Sequence, residues 1–332
     1  MTPHGRPVTF TNTEGHRLVG MLHEPAGARR DIGVVLLAAG LKSRVGPHGL
    51  YLQLTKMFVE RGFSVLRVDV WGLGESEGTA SEPLLADLYG SVSCGRYVGD
   101  TQAAAQWLCE TTGVSRVILA GLCGGAITGL LAGARDARVA GLLGLGLPVS
   151  VDGSNVDKVK YMSTGQLDSI RRKYLRKLID PRSWARLLSF RSDFRLLFRS
   201  LSRPLARNRA IPPPSGETAP PDDNTNPYFR PSLLRMIETG RPVMLIYSEA
   251  DRLFWEFREK FVDRYGFDTA EHAGVLDVSI VKEANHVFTF KEWQLDMLAR
   301  GGAWLEARFP GPAASRDTIR AQPMPAAEGR RP

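Results

Sequence analysis

The sequence predicts an α/β protein in which helices flank a mostly parallel sheet and a further helical segment is inserted. The first observation is that short apolar stretches, typical of buried strands, alternate along the 332 residues with stretches of helical periodicity. The second is a glycine-rich junction between a strand and a helix at 117–132, and the third is a basic segment at 150–231 that interrupts the alternation. Together they predict one large α/β domain with an insertion.

The predicted elements follow one another in the order that such a sheet requires. Two strands around Thr13–Gly15 predict an opening hairpin, and the remaining strands are apolar runs separated by helices. The predicted strands are Val8–Thr11, Arg17–Leu22, Ile32–Ala39, Ser64–Val70, Val117–Ala120, Val139–Leu147, Pro242–Tyr247 and Leu276–Val281. The predicted helices are about Leu50–Arg61, Asp100–Glu110, Ala126–Ala132 and Phe290–Ala307. The chain therefore divides into core residues 1–149 and 232–308, an inserted segment 150–231, and a tail 309–332 that we expect to be disordered.

Composition argues against several classes of protein. No run approaches the roughly 20 apolar residues of a membrane span, and the polar start Met1–Arg6 lacks the apolar part of a secretory signal, so we expect a cytoplasmic protein without a transmembrane segment. The three cysteines lack the spacing of a disulfide framework or a zinc site. The glycine-rich stretch Gly141–Gly146 lies inside an apolar strand with no following helix, so we expect no dinucleotide or other cofactor.

The pentapeptide Gly121–Gly125, Gly-Leu-Cys-Gly-Gly, has the form of a nucleophile elbow with cysteine in place of the usual serine. It directly follows the apolar run Val117–Ala120, and small residues stand two before and two after Cys123, where backbone approaches backbone in such a turn. The helix that follows places the Cys123 sulfur near the positive end of a helix dipole, which favours the thiolate. An inert buried cysteine in a glycine-rich stretch is the alternative.

Together with this elbow, three further motifs resemble those of the α/β-hydrolase superfamily over about 10–149 and 232–308. They are the loop Asp69–Ser76, the strand end Tyr247–Asp251 where the family places its acid, and Asn285–Phe288 where it places its histidine. The order nucleophile, acid, histidine is the one expected of this fold. The fragments Arg44–His48 and Gly62–Asp69 are also similar to hydrolases associated with bacterial exosortase and exopolysaccharide loci.

The resemblance implies a catalytic triad. Cys123 would attack an acyl carbonyl, His286 would accept a proton or pair with the thiolate and later protonate the leaving group, and Asp251 would orient the imidazole. Glu249 and Asp152 are the alternatives for the acid. A surface or capping histidine is the alternative for His286.

The resemblance also implies two backbone donors for the oxyanion. One is the N–H of Gly124, directly after the nucleophile. The second is the N–H of Leu41, in the loop after the third predicted strand, where the family often has a histidine that this chain lacks. His48 either lines the substrate pocket or belongs to a polar loop before a helix. Asp69 and Ser76 are expected to hold a turn together.

A cysteine nucleophile narrows the class of reaction. Its acyl-enzyme is a thioester, which reacts with thiols, amines and carbon nucleophiles as well as with water. We therefore expect hydrolysis of an ester or thioester, acyl transfer or cyclisation in preference to peptide cleavage. Dienelactone hydrolases share a Gly-x-Cys-x-Gly elbow but usually lack a large lid, and a non-catalytic basic binding module is the remaining alternative.

The inserted segment is strongly basic and stands where the superfamily inserts its lid. Residues 150–210 contain 15 Lys or Arg and five Asp, an excess of ten that exceeds the whole-chain charge of +8. Arginine recurs every four residues and predicts a stripe along one helix, at Arg191, Arg195, Arg199, Arg203 and Arg207. The segment is either a solvated cap or a docking surface for an acyl carrier protein, a coenzyme A phosphate or an acidic glycan. Membrane-surface binding is a third interpretation, and no nucleic-acid motif accompanies it.

Overall fold

A computed structural model describes residues 4–38, 40, 43–80, 84–151 and 224–311, and these contain one eight-stranded sheet. The strands are β1 Gly5–Thr11, β2 Arg17–His23, β3 Ile32–Leu37, β4 Val65–Asp69, β5 Arg116–Leu122, β6 Val139–Leu145, β7 Val243–Ser248 and β8 Leu276–Val281. Their spatial order is β1-β2-β4-β3-β5-β6-β7-β8. β2 pairs antiparallel with β1 and β4, and the remaining pairs are parallel. The predicted hairpin and mostly parallel sheet are therefore confirmed.

Helices cover both faces of this sheet. They are α1 Leu50–Val59, α2 Leu85–Ser93, α3 Val98–Thr112, α4 Gly124–Gly133, α5 Phe229–Glu238, α6 Arg252–Phe257 and α7 Lys291–Arg308. α1 and α7 bury Phe58 and Leu305 in the apolar layer on one face, whereas α3 and α4 bury Leu108 and Ile127 in the layer on the other. Each such side chain contributes roughly 1.5–3 kcal/mol relative to an exposed one.

The central strands β3 and β6 contain only apolar residues and glycine because both of their faces are covered. In β3, Val35 and Leu37 belong to one apolar layer, and Val34 and Leu36 belong to the other. This alternation follows from the two-residue period of a strand. A strand buried on both sides reads as a continuous apolar run, and this is why the sequence predicts β3 and β5 so directly.

Three helices of the structure, α2, α5 and α6, were not predicted, and the first two show why. α2 was not predicted, because its Gly90 and its serines have low helix propensity, yet it buries Leu88 and Val92 and packs on α4. α5 begins at Phe229, which is fully buried in the core, so the predicted boundary at 231 falls inside a core helix. Tertiary packing overrides local propensity in the first case and moves the end of the insertion in the second.

The two ends of the inserted segment lie side by side. Ser150 and Thr225 form an isolated antiparallel bridge, and the N–H of Val151 donates to the carbonyl of Asn224 at 2.8 Å. The insertion thus leaves and re-enters the domain at one place after β6. The predicted lid residues 152–223 and the predicted tail from 312 onward lie outside the described residues. None of the described helices is long and apolar enough to cross a membrane.

Candidate active site

The site lies where the chain changes direction in the sheet. After β3 the chain passes through α1 to β4 on one side of β3, and it then returns to β5 on the other side. In parallel α/β sheets, the strand ends diverge at such a point and leave a crevice at their carboxyl edge. Cys123 follows β5 directly at this edge, while Asp251 and His286 follow β7 and β8.

Cys123 lies in a sharp turn between β5 and α4. Its backbone has φ 54° and ψ −112°, a conformation that residues with a side chain rarely adopt. A Cβ on Gly121 would lie 2.7 Å from the backbone carbon of Gly125, and a Cβ on Gly125 would lie 2.5 Å from the carbonyl oxygen of Leu37. Both positions therefore require glycine, and the predicted strand–turn–helix geometry of the elbow is present.

His286 and Asp251 are in direct contact. Nδ1 of His286 lies 2.6 Å from Oδ2 of Asp251, whose side chain is buried. The other carboxylate oxygen accepts the N–H of Leu253 at 3.3 Å, because Asp251 is the N-cap of α6. With Nδ1 held by the carboxylate, Nε2 is left for the opposite side of the ring, and Cys123 is near enough to influence the pKa of the imidazole.

These contacts favour a charged imidazole. Burial of His286 lowers its pKa, but the interactions with Asp251 and Cys123 outweigh burial and raise the pKa to about 10. These interactions stabilise the charged imidazolium form of His286. The three residues therefore form one contiguous set of side chains.

A pocket of about 340 Å³ opens onto this set. Its described lining includes Cys123, Asp251 and His286, together with Tyr89, Ser93, Gly124, Pro148, Ser150, Arg252 and Leu253. The sequence analysis did not single out Tyr89, Ser93 or Arg252. Nη1 of Arg252 lies 3.2 Å from Oε1 of the buried Glu256, one helical turn later. The volume fits a small organic group.

Of the two predicted oxyanion donors, the described residues include one. Gly124 lines the pocket and is the first residue of α4, so its N–H points out of the helix N-terminus. A Cβ on Gly124 would lie 2.8 Å from Cα of Gly40, so the loop after β3 touches the elbow. Leu41, the second predicted donor, lies outside the described residues.

His48 is not placed at this pocket. It is exposed in the left-handed conformation, with φ 51°, on the turn before α1, and it is absent from the described lining. Arg191, Arg195 and Arg199, predicted to bind substrate or partner, lie outside the described residues.

The remaining acidic candidates have structural partners or lie outside the described chain. Oε2 of Glu249 accepts the N–H of Glu283 at 2.9 Å on an exposed turn. The hydroxyl of Ser76 donates to the carbonyl of Asp69 at 2.5 Å and accepts the N–H of Val19 at 2.8 Å. Asp69 and Ser76 therefore hold a turn together, as predicted. Asp152 falls outside the described residues. Within the described part of the chain, no three His, Cys, Asp or Glu side chains converge to hold a metal.

No family model matches this sequence, and no curated protein matches it. Solved structures do resemble it. An esterase of Pyrococcus furiosus is 15% identical, with a TM-score of 0.55 over 91% of this chain and 92% of that one. DcsB in complex with its substrate analogue is 13% identical, with a TM-score of 0.52 over 93% and 100%. The dienelactone hydrolase of Anabaena variabilis is 14% identical, with a TM-score of 0.50 over 92% and 98%. The chain therefore has the α/β-hydrolase fold that the sequence predicts.

Proposed function

We propose that this protein is a Cys–His–Asp acyl hydrolase or acyltransferase that acts on an ester or thioester through a thioester acyl-enzyme on Cys123. The observation that carries the proposal is the contact of 2.6 Å between His286 and Asp251 at the pocket that contains Cys123. Fold alone does not define an activity. A nucleophile, a base and a group that orients the base, gathered at one pocket, are what acyl transfer requires.

The reaction follows from these positions. Sγ of Cys123 attacks the acyl carbonyl, so a C–S bond forms while the carbonyl electrons move onto oxygen. The N–H of Gly124, and that of Leu41 from the sequence prediction, stabilise the oxyanion. The tetrahedral intermediate then collapses, and Nε2 of His286 protonates the departing alkoxide or thiolate. Water or an acceptor attacks the thioester next, gives its proton to His286, and releases Cys123.

The charge state of the site favours esters and thioesters as substrates. Because the pKa of His286 is raised to about 10, the imidazole carries its proton at neutral pH. A proton on His286 is available for the leaving group, and a thiolate on Cys123 needs no further base. Amide cleavage would demand stronger help for a poorer leaving group. The pocket of about 340 Å³ suits a small acyl group.

The basic segment supports a carrier-linked or coenzyme A-linked acyl donor as the finer form of the proposal. Residues 150–210 carry a local excess of ten positive charges, and both ends of the insertion meet at Ser150, which lines the pocket. A donor bearing phosphates or an acidic carrier surface would be attracted to such a segment. We infer that the protein acts in the cytoplasm, where these donors are found.

The test compares two cysteine variants on two acetyl donors, an ester and a thioester. p-Nitrophenyl acetate and acetyl-coenzyme A are offered to the wild type, to Cys123→Ala and to Cys109→Ala, a half-buried cysteine away from the pocket. We expect Cys123→Ala to lose turnover with its circular dichroism unchanged, and Cys109→Ala to match the wild type. If Cys123→Ala kept its turnover, the proposal that Cys123 is the nucleophile would be wrong. If the wild type turned over no ester or thioester in a wider panel, the binding-module alternative would replace this proposal.

A further inference from the structure

A buried tyrosine hydroxyl joins the two strand ends on which the site depends. Tyr51, on α1, is completely buried. Its hydroxyl donates to the carbonyl of Leu37 at 2.5 Å and accepts the N–H of Leu122 at 2.9 Å. Leu37 is the last residue of β3, and Leu122 is the last residue of β5, directly before Cys123. The hydroxyl therefore bridges the backbone of the two strands at the foot of the crevice.

The position of this bridge follows from the topology of the sheet. β3 and β5 pair in parallel up to Leu37 opposite Gly121, and beyond that point β3 enters the loop of Gly40 while β5 enters the elbow. Diverging strands leave a carbonyl and an N–H in an apolar interior, where unpaired backbone groups are costly. A hydroxyl can donate to one and accept from the other, and the Tyr51 hydroxyl does both.

The loop before α1 fixes the position of the Tyr51 side chain. The N–H of Tyr51 donates to the carbonyl of Val45 at 3.2 Å, and the N–H of Arg44 donates to Oδ1 of the buried Asp69 at 2.7 Å. Gly46 has φ 70°, and a Cβ there would lie 2.9 Å from the ring of Tyr51. The segment Arg44–His48 thus packs against the tyrosine ring and is tied to β4, while His48 itself faces outward.

We propose that Tyr51 is a positioning residue for the nucleophile and that the segment Arg44–His48 serves to place it. The hydroxyl fixes the peptide that leads into Cys123 and, through Leu37, the start of the loop that carries the predicted second oxyanion donor. The proposal rests on the acyl-transfer function proposed above. Displacing reacting groups by about 1 Å can cost about 100-fold in rate, so a single hydroxyl at this fork has a measurable effect on turnover.

The first test removes only the oxygen. Tyr51→Phe keeps the ring, and Thr55→Val is the matched control because Thr55 is a buried hydroxyl on the same helix that donates to the carbonyl of Tyr51 at 2.6 Å. With p-nitrophenyl acetate we expect Tyr51→Phe to lower kcat about 10- to 100-fold while KM stays within about twofold. Thr55→Val should keep kcat within about threefold. A kcat of Tyr51→Phe near the wild-type value, or an equal loss in Thr55→Val, would overturn the proposal.

Alkylation separates this proposal from the proposed function. Iodoacetamide reacts with a thiolate by displacement and needs no oxyanion donor, so its rate with Cys123 should be within about threefold in wild type and Tyr51→Phe. A parallel collapse of alkylation and turnover would mean that Tyr51 acts on the ionisation of Cys123 and not on its position. If Cys123→Ala remains active, the proposed function fails first, whatever Tyr51→Phe does.

A second pair of variants decides the matter if Tyr51→Phe does not fold. Gly46 and Gly49 both have φ 70°, but ψ is 171° at Gly46 and 17° at Gly49, so alanine meets more backbone strain at Gly46. At Gly46 the new Cβ would lie 2.9 Å from the ring of Tyr51, whereas at Gly49 its nearest neighbour is Cδ1 of Leu52 at 3.9 Å. We expect Gly46→Ala to lower kcat at least several-fold more than Gly49→Ala, while the circular dichroism of both variants and the iodoacetamide rate of Cys123 stay at the wild-type values. Equal values of kcat in the two variants would contradict a positioning role for Tyr51.

Discussion

Replacing Asp251 by asparagine tests the coupling between the carboxylate and the imidazole. The change keeps the size of the side chain and removes its negative charge, 2.6 Å from Nδ1 of His286. In the wild type, burial lowers the pKa of His286, and the interactions with Asp251 and Cys123 overcome burial and raise it to about 10. Without the Asp251 charge, burial regains weight, so we expect the pKa of His286 to fall towards its ordinary value of about 6.5.

The sign and size of the kinetic effect follow from this shift. The proton of His286 must be present for the leaving group, so kcat/KM falls as pH rises through the pKa of His286. Because the pKa of His286 is about 10, the wild type should keep its activity until the pH approaches that value. Asp251→Asn should begin to lose activity at a lower pH. At the plateau, a wrongly oriented imidazole should lower the rate on the order of 10⁴.

The assay is kcat/KM for p-nitrophenyl acetate from about pH 5 to about pH 11. Glu249→Gln is the matched control because Glu249 lies two residues earlier on an exposed turn, and glutamine can still accept the N–H of Glu283. We expect this control to leave the profile unchanged. If the activity of Asp251→Asn still fell only near pH 10, the reasoning would be refuted. A mild loss of activity in Asp251→Asn beside a severe loss in Asp152→Asn would identify Asp152, which follows β6, as the acid.

Three further predictions concern the sulfur, the elbow and the basic segment. Cys123→Ser should keep little esterase activity. The activity that remains should rise with pH, because a hydroxyl needs neutral His286 as its base. Gly125→Ala should lower the free energy of unfolding in urea by about 1–3 kcal/mol, because its Cβ would lie 2.5 Å from a backbone oxygen; an unchanged midpoint would contradict the close approach. Reversing Arg191, Arg195 and Arg199 to Glu should raise KM for acetyl-coenzyme A but not for p-nitrophenyl acetate, and added salt should mimic this. An equal response of the two substrates would contradict an anionic donor.

The strands and the elbow could be predicted because their signals are local. A strand buried on both faces reads as an apolar run, and the glycines around Cys123 stand where backbone meets backbone. α2 carries no such signal, since Gly90 and its serines disfavour a helix that tertiary packing, including packing on α4, stabilises. Its pocket residues, Tyr89 and Ser93, were missed together with the helix.

Other parts of the site depend on contacts between distant segments. Tyr51 looks like one more apolar residue on the buried face of α1, and its hydroxyl acquires partners only because β3 and β5 diverge above it. The sequence predicted Asp251 as the acid and left Glu249 as an alternative; the structure places the first against His286 and the second against the N–H of Glu283. Pairings of this kind follow from sheet order, which no short stretch of sequence encodes.

The central claim is that the acyl group passes through the sulfur of Cys123. The most direct measurement is the intact mass of the protein after rapid acid quenching of its reaction with a short-chain N-acetylcysteamine thioester. We predict one added acyl group, located on the peptide that contains Cys123, and none on Cys123→Ala. An adduct on a different residue, or undiminished turnover by Cys123→Ala with no adduct at all, would contradict the claim.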